Sequence, residues 1–334
     1  MATKLVFDGD LRLLENKTIA VIGYGNQGRA QARALRKLSK ARVIVGNIKD
    51  EAWERARADG FEVYSIAEAC RIADVILVLI PDEVMPEVFK KDIEPSVRNK
   101  EFVVVDFASG FNIAFGFIQP PPNADVVMVA PRMIGAEIEN LVEDGRGYPV
   151  LLGVAQDVSG KAWEYAKAIA KGIGALLPGG VGVISSFEEE ALIDLFTEQF
   201  VAPTIIATFI TAFDVLTQEF GVSPEAAILE LYASGEWSRI FRDMAEIGFF
   251  EQLRLHSTTS QYGQLSRAMK LYLNGELRNR AREVARYITN GEFAREWILE
   301  RMAGYPVFRK LWKTVKESRL AQEEDKLFKA LKRR

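Results

Sequence analysis

The sequence predicts a doubly wound α/β domain over residues 1–185 followed by an all-α domain over 186–334. Three observations predict it. Residues 17–130 alternate between β-rich apolar runs and helical patterns, the signature of a mostly parallel sheet covered on both faces. A G-x-G-x-x-G spacing, Gly23, Gly25 and Gly28, follows the first of those runs and opens a helix. After Phe187 the pattern is helical almost throughout, broken near the stretch 221–224 and at Gly248, Gly263 and Gly304.

Taken in order, KTIAVIGYG is a strand running into the glycine turn, and QARALRKL continues as helix. ARVIVGN is a second strand, and EAWERARADG is a charged helix stopped by Gly60. IAEACRIA is helical, DVILVLIPD is a nearly all-apolar strand, and VFKKDIEPSV is a short helical stretch. FVVVDFA and DVVMVAP are further buried strands. SGKAWEYAKAIAKGIGAL reads as a helix capped by Ser159 with Gly172 near its end, and GVGVISSF as a last strand. Ser223-Pro224-Glu225 starts a helix, with Pro in the first turn. The apolar run FVAPTIIATFITAF, 200–213, is short for a bilayer span and is expected to be a helix buried on all sides, in a helical domain that is knotted or oligomeric. The tail AQEEDKLFKALKRR reads as a solvated helix with a basic end.

Composition excludes several classes. With 49% hydrophobic residues the chain can bury a sizeable core, and a net charge of −3 argues against binding nucleic acid through phosphate contacts. A single cysteine, Cys70, excludes an internal disulfide framework and fits a reducing compartment. The first residues lack an uninterrupted apolar core, so no signal peptide is expected, and the expected location is the cytoplasm, away from membranes.

The glycine loop gives the first domain a Rossmann-type dinucleotide-binding role. Gly23 and Gly25 let backbone approach a pyrophosphate seated on the helix N-terminus, with Tyr24, Gln27, Gly28 and Arg29 in the same loop. The acid that usually ends the second strand is missing, because Gly46 and Asn47 stand there. Arg29, Arg42 and Lys49 are candidate partners for a 2′-phosphate, whereas Asp50 and Glu51 would repel one; the expectation is NADP(H) in preference to NAD(H). Pro81 and Asp82, after the DVILVLI strand, either shape the cofactor wall or simply end the strand. The turn after FVVVDFA offers Ser109, Gly110 and Asn112 at the carboxyl end of a buried strand.

In the helical half, Asp194 and Glu198 stand four apart on one helix face among Leu192, Ile193, Leu195 and Phe196. They either share a hard cation such as Mg²⁺, which relieves their repulsion, or lie on an exposed strip beside Glu188, Glu189 and Glu190. Glu230 sits in an apolar stretch of another helix, with Ser234 four residues on. His256, the single histidine, reads as a packed or surface residue.

Together these stretches resemble the ketol-acid reductoisomerase family over nearly the whole chain. The opening FDGDLRLLENKTIAVIGYGNQGRAQA, then GFNIAF, VVMVAPR, LGVAQDVSGKAWEYAKAIAKGIG, DLFTEQ and TNGEFAREWILE are similar to that family's segments, in its order. The resemblance implies a knotted helical domain of the shorter class and a homodimer or larger assembly with shared sites. It also implies one or two Mg²⁺ ions and a reduced nicotinamide cofactor. The implied substrate is an acetohydroxy acid of branched-chain amino-acid synthesis, which undergoes alkyl migration and then hydride reduction. On this reading Asp194 bridges the ions, Glu198 binds one, Glu230 helps to hold the second, and Ser257 hydrogen-bonds substrate. Arg132 and Ser109 then stand where the family has Lys and His; Ala114 replaces a second His, Leu192 an acid, and Ser234 the last metal-ligand Glu. Loss of that carboxylate weakens the second site, since even one unit charge pair at about 4 Å interacts by ~4 kcal/mol at an effective dielectric near 20. Two other functions stay open: a relative that only reduces another small 2-keto acid, and a nucleotide-binding protein without catalysis.

Overall fold

The computed structural model describes residues 4–333. The chain divides into two units, residues 1–193 and 194–334. The division falls inside a helix and beyond residue 185 because Phe187 and Ala191 are buried in the first unit and Glu190 is hydrogen-bonded there.

The first unit carries β1 (Leu5–Val6), β2 (Thr18–Ile22), α1 (Asn26–Leu38), β3 (Arg42–Gly46), α2 (Glu51–Ala58), β4 (Glu62–Tyr64), α3 (Ile66–Ile72) and β5 (Val75–Val78). Next come α4 (Met85–Val88), a π-helical turn (Phe89–Ile93), α5 (Glu94–Val97), β6 (Val103–Phe107), α6 (Phe111–Ala114), β7 (Ala124–Pro131), α7 (Gly135–Glu143), β8 (Pro149–Gln156), α8 (Ala162–Gly172), β9 (Val181–Ile184) and α9 (Phe187–Phe196). The strands form one sheet in the order β1-β9-β8-β7-β6-β5-β2-β3-β4. All neighbours pair parallel except β7 with β8 and β1 with β9.

Alternation explains the double cover. Ile19, Val21, Leu77 and Val104 point into one buried cluster, whereas Ala20, Ile22, Ile76 and Val105 point into the other. Each face therefore demands helices, and near-continuous Val/Ile runs result. The order reverses at β2, with β3 on one side and β5 on the other, and this leaves a crevice at the carboxyl ends of the strands.

Three local expectations are corrected. Ser159 does not cap α8: its hydroxyl donates to the buried Asp125 at 2.5 Å, and α8 starts after Lys161 without a side-chain cap. LGVAQ, which the resemblance joins to the following helix, is the end of β8, antiparallel to β7 and parallel to β9, and β4 is a further short strand between two helical patterns. Gly263 lies inside a helix rather than at a break.

The second unit follows a π-helical turn (Thr197–Val201) with α10 (Ala202–Asp214), α11 (Pro224–Ile228), α12 (Glu236–Ile247), α13 (Thr258–Leu273), α14 (Glu276–Thr289), α15 (Glu292–Met302), α16 (Pro306–Lys316) and α17 (Arg319–Ala330). Ser223 caps α11 through the amide of Ala226, with Pro224 in its first turn. A small core joins Phe213, Ala227, Ile228, Ala233 and Leu327, so the C-terminal helix is anchored rather than merely solvated.

The run 200–213 is helical but not buried on all sides. Only Phe213 within it is buried, and Ile206 and Ile210 are 58% and 42% exposed. The small core takes in the end of α10 at Phe213, and Phe209 packs against Tyr232 and Trp237, while Ile206 and Ile210 stay open among the described residues. The continuous helix, 187–219, is long and apolar enough to cross a membrane by length and composition, with 6% of its most apolar window buried.

Candidate nucleotide cleft and carboxylate pair

The glycine loop forms as its spacing requires. Gly23 leaves β2 with φ +91°, and a Cβ there would lie 2.7 Å from the Leu79 carbonyl oxygen. A Cβ on Gly28 would stand 2.0 Å from the Gly23 carbonyl oxygen, which lets α1 begin directly against the strand end. Gly25, at the cap of α1, has nothing within 4 Å of where its Cβ would be. The open space above Gly25 and the free first-turn amides of α1 suit a pyrophosphate.

A cleft of about 700 Å³ opens there. Of the predicted cofactor residues, Gly23, Tyr24, Gly25, Gln27, Asn47, Pro81, Asp82 and Ser109 line it. Gly28, Arg29, Lys49 and Gly110 are not among its walls, and each has another place. Gly28 packs helix on strand. Arg29 donates to Asp59 at 2.8 Å and lies 3.4 Å from Glu139. Tyr24 contributes backbone only, because its ring is 1% exposed and its hydroxyl donates to Asp59 at 2.8 Å. Burial first, and then Asp59, pushes that phenol well up, while the Arg29 bond holds the Asp59 carboxyl below its usual range.

At the far end of the cleft the two strand-end turns are clasped together. The Ser109 hydroxyl donates to Asp82 at 3.2 Å and accepts from the Phe111 amide at 3.2 Å. The buried Asn112 amide donates to the Asp82 carbonyl and carboxylate, each at 3.1 Å. The Gly110 amide donates to Glu190 Oε2 at 2.6 Å, and Arg132 Nη2 to Glu190 Oε1 at 2.6 Å. A Cβ on Gly110 would be 2.1 Å from the Phe187 carbonyl oxygen, so glycine is needed for close approach. Glu190 has 1% of its side chain exposed and is no part of a solvated acidic strip. Its signal was present in the sequence: it follows Phe187 by three residues and precedes Ala191, and both of those are buried.

In the second unit, Asp194 lies in the last turn of the α-helical part of its helix, which ends at Phe196, and Glu198 lies in the π-helical turn that follows. Glu230 lies in another π-helical turn (Leu229–Ala233). Such turns, which insert a residue into an α-helix, recur at functional sites. Asp194 is half-buried and Glu198 and Glu230 are exposed. Among the described residues no three His, Cys, Asp or Glu side chains gather closely enough to hold a metal, so Glu230 does not complete a site with the other two in one chain. Two hard oxygen donors one turn apart are chemistry that suits Mg²⁺, but as a donor set they are incomplete. Ser234 is exposed, and its hydroxyl accepts from the Glu236 amide at 3.4 Å. Ser257 caps α13 through the Ser260 amide at 3.3 Å. The His256 ring stands 3.2 Å from Gln252 Oε1.

Residues 13–179 match the family model described as acetohydroxy acid isomeroreductase, NADPH-binding domain. Residues 187–333 match ketol-acid reductoisomerase, C-terminal domain. The chain is 55% identical over 331 residues to "Putative ketol-acid reductoisomerase 3" of Saccharolobus solfataricus, covering 99% of this chain and 98% of the other. It is 43% identical over 316 residues to a protein of Pyrobaculum arsenaticum named ketol-acid reductoisomerase (NADP(+)), covering 94% and 93%. Its fold matches an NADH-preferring ketol-acid reductoisomerase from an uncultured archaeon with TM-score 0.88 and 33% identity over 96% of each chain.

Proposed function

Because the chain belongs to the ketol-acid reductoisomerase family, a family of NAD(P)-dependent oxidoreductases, we propose that it converts acetohydroxy acids into dihydroxy acids for branched-chain amino-acid synthesis. The substrate hydroxyl loses its proton and the alkyl group migrates with its electron pair to the neighbouring carbonyl carbon, whose oxygen is protonated. The ketone left behind then takes hydride from the reduced nicotinamide and a proton from solvent.

The observation that carries the reading is the Asp194–Glu198 pair at the junction of α-helical and π-helical turns, within the stretch matched to the family's C-terminal domain. Asp194 and Glu198 would hold Mg²⁺, which supplies Lewis-acid polarisation of the ketone oxygen. Ser109 and Asp82 form the wall at the strand-end side of the cleft, and Glu190 fixes the backbone of that wall through the Gly110 amide. The protein's own part is to place a 2-keto carbon against the cofactor face and keep the turn rigid.

The incomplete donor set and the exposed apolar helix 187–219 both support a homodimer, in which the second copy supplies Glu230 and Ser257 and covers α10. A protein–protein cover of this kind fits an enzyme of the cytoplasm rather than of a membrane. Size-exclusion chromatography with light scattering, in buffer without detergent, is expected to give at least twice the chain mass.

One second reading has specific support. Ser234 stands where the resemblance places a carboxylate, and Arg132 is engaged by Glu190. Both weaken isomerisation more than hydride transfer, which leaves a reductase of simpler 2-keto acids. Following NAD(P)H oxidation with acetolactate and Mg²⁺ tests the choice. Turnover supports the first reading; turnover of ketopantoate or hydroxypyruvate alone supports the second; consumption of neither, with cofactor bound, leaves a binding protein.

A further inference from the structure

Resting on the nucleotide reading of the cleft, we propose that Asp50 is the residue that selects the cofactor, and that it selects NADH against NADPH. This reverses the preference expected from the basic residues nearby.

Asp50 is not at the end of β3, where an acid is usually sought. It stands about 20 residues beyond the glycine loop, the usual distance for the ribose-binding acid, but as the cap of α2. It lines the cleft that Gly23 and Gly25 open. Its carboxylate is held in one orientation: Oδ1 accepts from the Ala52 amide at 2.9 Å, the Trp53 amide at 3.1 Å and the Asn47 side-chain amide at 2.8 Å. Asn47 is itself 8% exposed, which fixes the donor. Three donors saturate Oδ1, so Oδ2 is the oxygen left to accept from a ligand. A ribose presents two vicinal hydroxyls that donate to such an oxygen. A 2′-phosphate replaces one hydroxyl with a dianionic acceptor and removes the donor.

The cations that could offset this lie elsewhere. Arg29 is held by Asp59 and Glu139. Arg42 begins β3, roughly 13 Å of strand below its carboxyl end, and pairs with Glu62 at 2.6 Å. Lys49 is exposed, is not among the cleft walls, and acts on Glu68. The neighbour that does line the cleft is Ile48, an apolar side chain 64% exposed. A 2′-phosphate would therefore meet a fixed carboxylate and an isoleucine, with no cation lining that wall among the described residues.

Dissociation constants for NADH and NADPH, measured by nicotinamide fluorescence on the full chain without substrate, test the assignment. The expected result is NADH bound at least about tenfold tighter than NADPH. Asp50→Asn keeps a good helix cap while removing the charge, and is expected to bring the two constants to within about threefold, chiefly by tightening NADPH. Ile48→Arg combined with Asp50→Ser is expected to invert the ratio. Equal or tighter binding of NADPH by the wild-type chain overturns the proposal, as does an unchanged ratio in a folded Asp50→Asn chain. Selective NADH binding without acetolactate turnover leaves this proposal standing and sinks the function above. Turnover of acetolactate with NADPH preferred does the opposite, and binding of neither nucleotide overturns both.

Discussion

The two units solve the burial problem differently. In the first, every residue of β2 after Thr18 and all four of β5 are buried, and the two faces of one sheet account for nearly all the apolar side chains. In the second, the one buried cluster among the described residues has five side chains, while Ile206, Phe241, Leu271, Phe308 and Trp312 are all more than 40% exposed. A soluble single chain rarely leaves that much apolar surface open. The first unit is thus finished within one chain, and the second leaves open the apolar surface that a second copy is proposed to cover. The cofactor cleft belongs to the finished part and the carboxylate pair to the unfinished part.

The sharpest way to break the contrast is to charge the open helix. Ile206→Asp with Ile210→Asp is expected to abolish self-association and reduce acetolactate turnover by at least ~100-fold, because several kcal/mol of interface burial is removed at once. The first unit should not notice. NADH affinity should stay within about twofold, and light scattering with fluorescence titration reads both. If the charged variant still associates, the second unit is completed in some other way.

Removing one partner of the Arg132–Glu190 pair probes the finished unit instead. Glu190→Gln replaces the carboxylate facing the Arg132 guanidinium with a neutral amide and weakens the bond to Gly110, and is expected to lower unfolding free energy by about 2–4 kcal/mol. Denaturant melts followed by the near-ultraviolet signal of the first unit measure it. A change below about 0.5 kcal/mol would show that the pair does not hold the turn.

How much of this was legible in the sequence follows from where each signal is stored. Six of the nine strands among the described residues, the glycine loop and the Ser223 cap are local patterns that form where the pattern says, whereas β1, β4 and β8 carry no pattern that the sequence reading uses. The solvent exposure of α10 was not legible, because FVAPTIIATFITAF reads the same whether its cover comes from its own chain or another. Ser159 reads as a cap in sequence because its partner Asp125 lies 34 residues away. Glu190 was grouped with two solvated glutamates because three acids in a row hide a helical period. Asp50 was seen as a charge near the cofactor, but the bonds that fix its carboxylate depend on Asn47 and on the first turn of α2. The family resemblance supplies the expected roles of Asp194, Glu198 and Glu230, which spacing alone leaves divided, and that of Ser257, on which spacing says nothing.

Asp106 marks the limit of even the finished unit. It lies in the middle strand β6, paired in register with Leu77 and Val127, and is 0% exposed. Neither carboxyl oxygen makes a hydrogen bond of ordinary geometry among the described residues, and the backbone of Val129 and Phe107 offsets the effect of burial only in part. Burial pushes this carboxyl well above its ordinary 3.8. A group whose pKa is raised on folding binds its proton more tightly in the folded chain, so its contribution is most favourable below about 3.8 and is lost as pH rises through the folded value. Asp106→Ala removes that loss at the expense of a small cavity. The variant should match or fall slightly below the wild type at pH 4 and exceed it by about 1–3 kcal/mol at pH 8. Paired thermal melts at the two pH values read the difference, and because every other titrating group is common to both chains, only Asp106 contributes to it. A difference independent of pH would mean that the carboxyl ionises in the folded state with a partner the strand has found elsewhere.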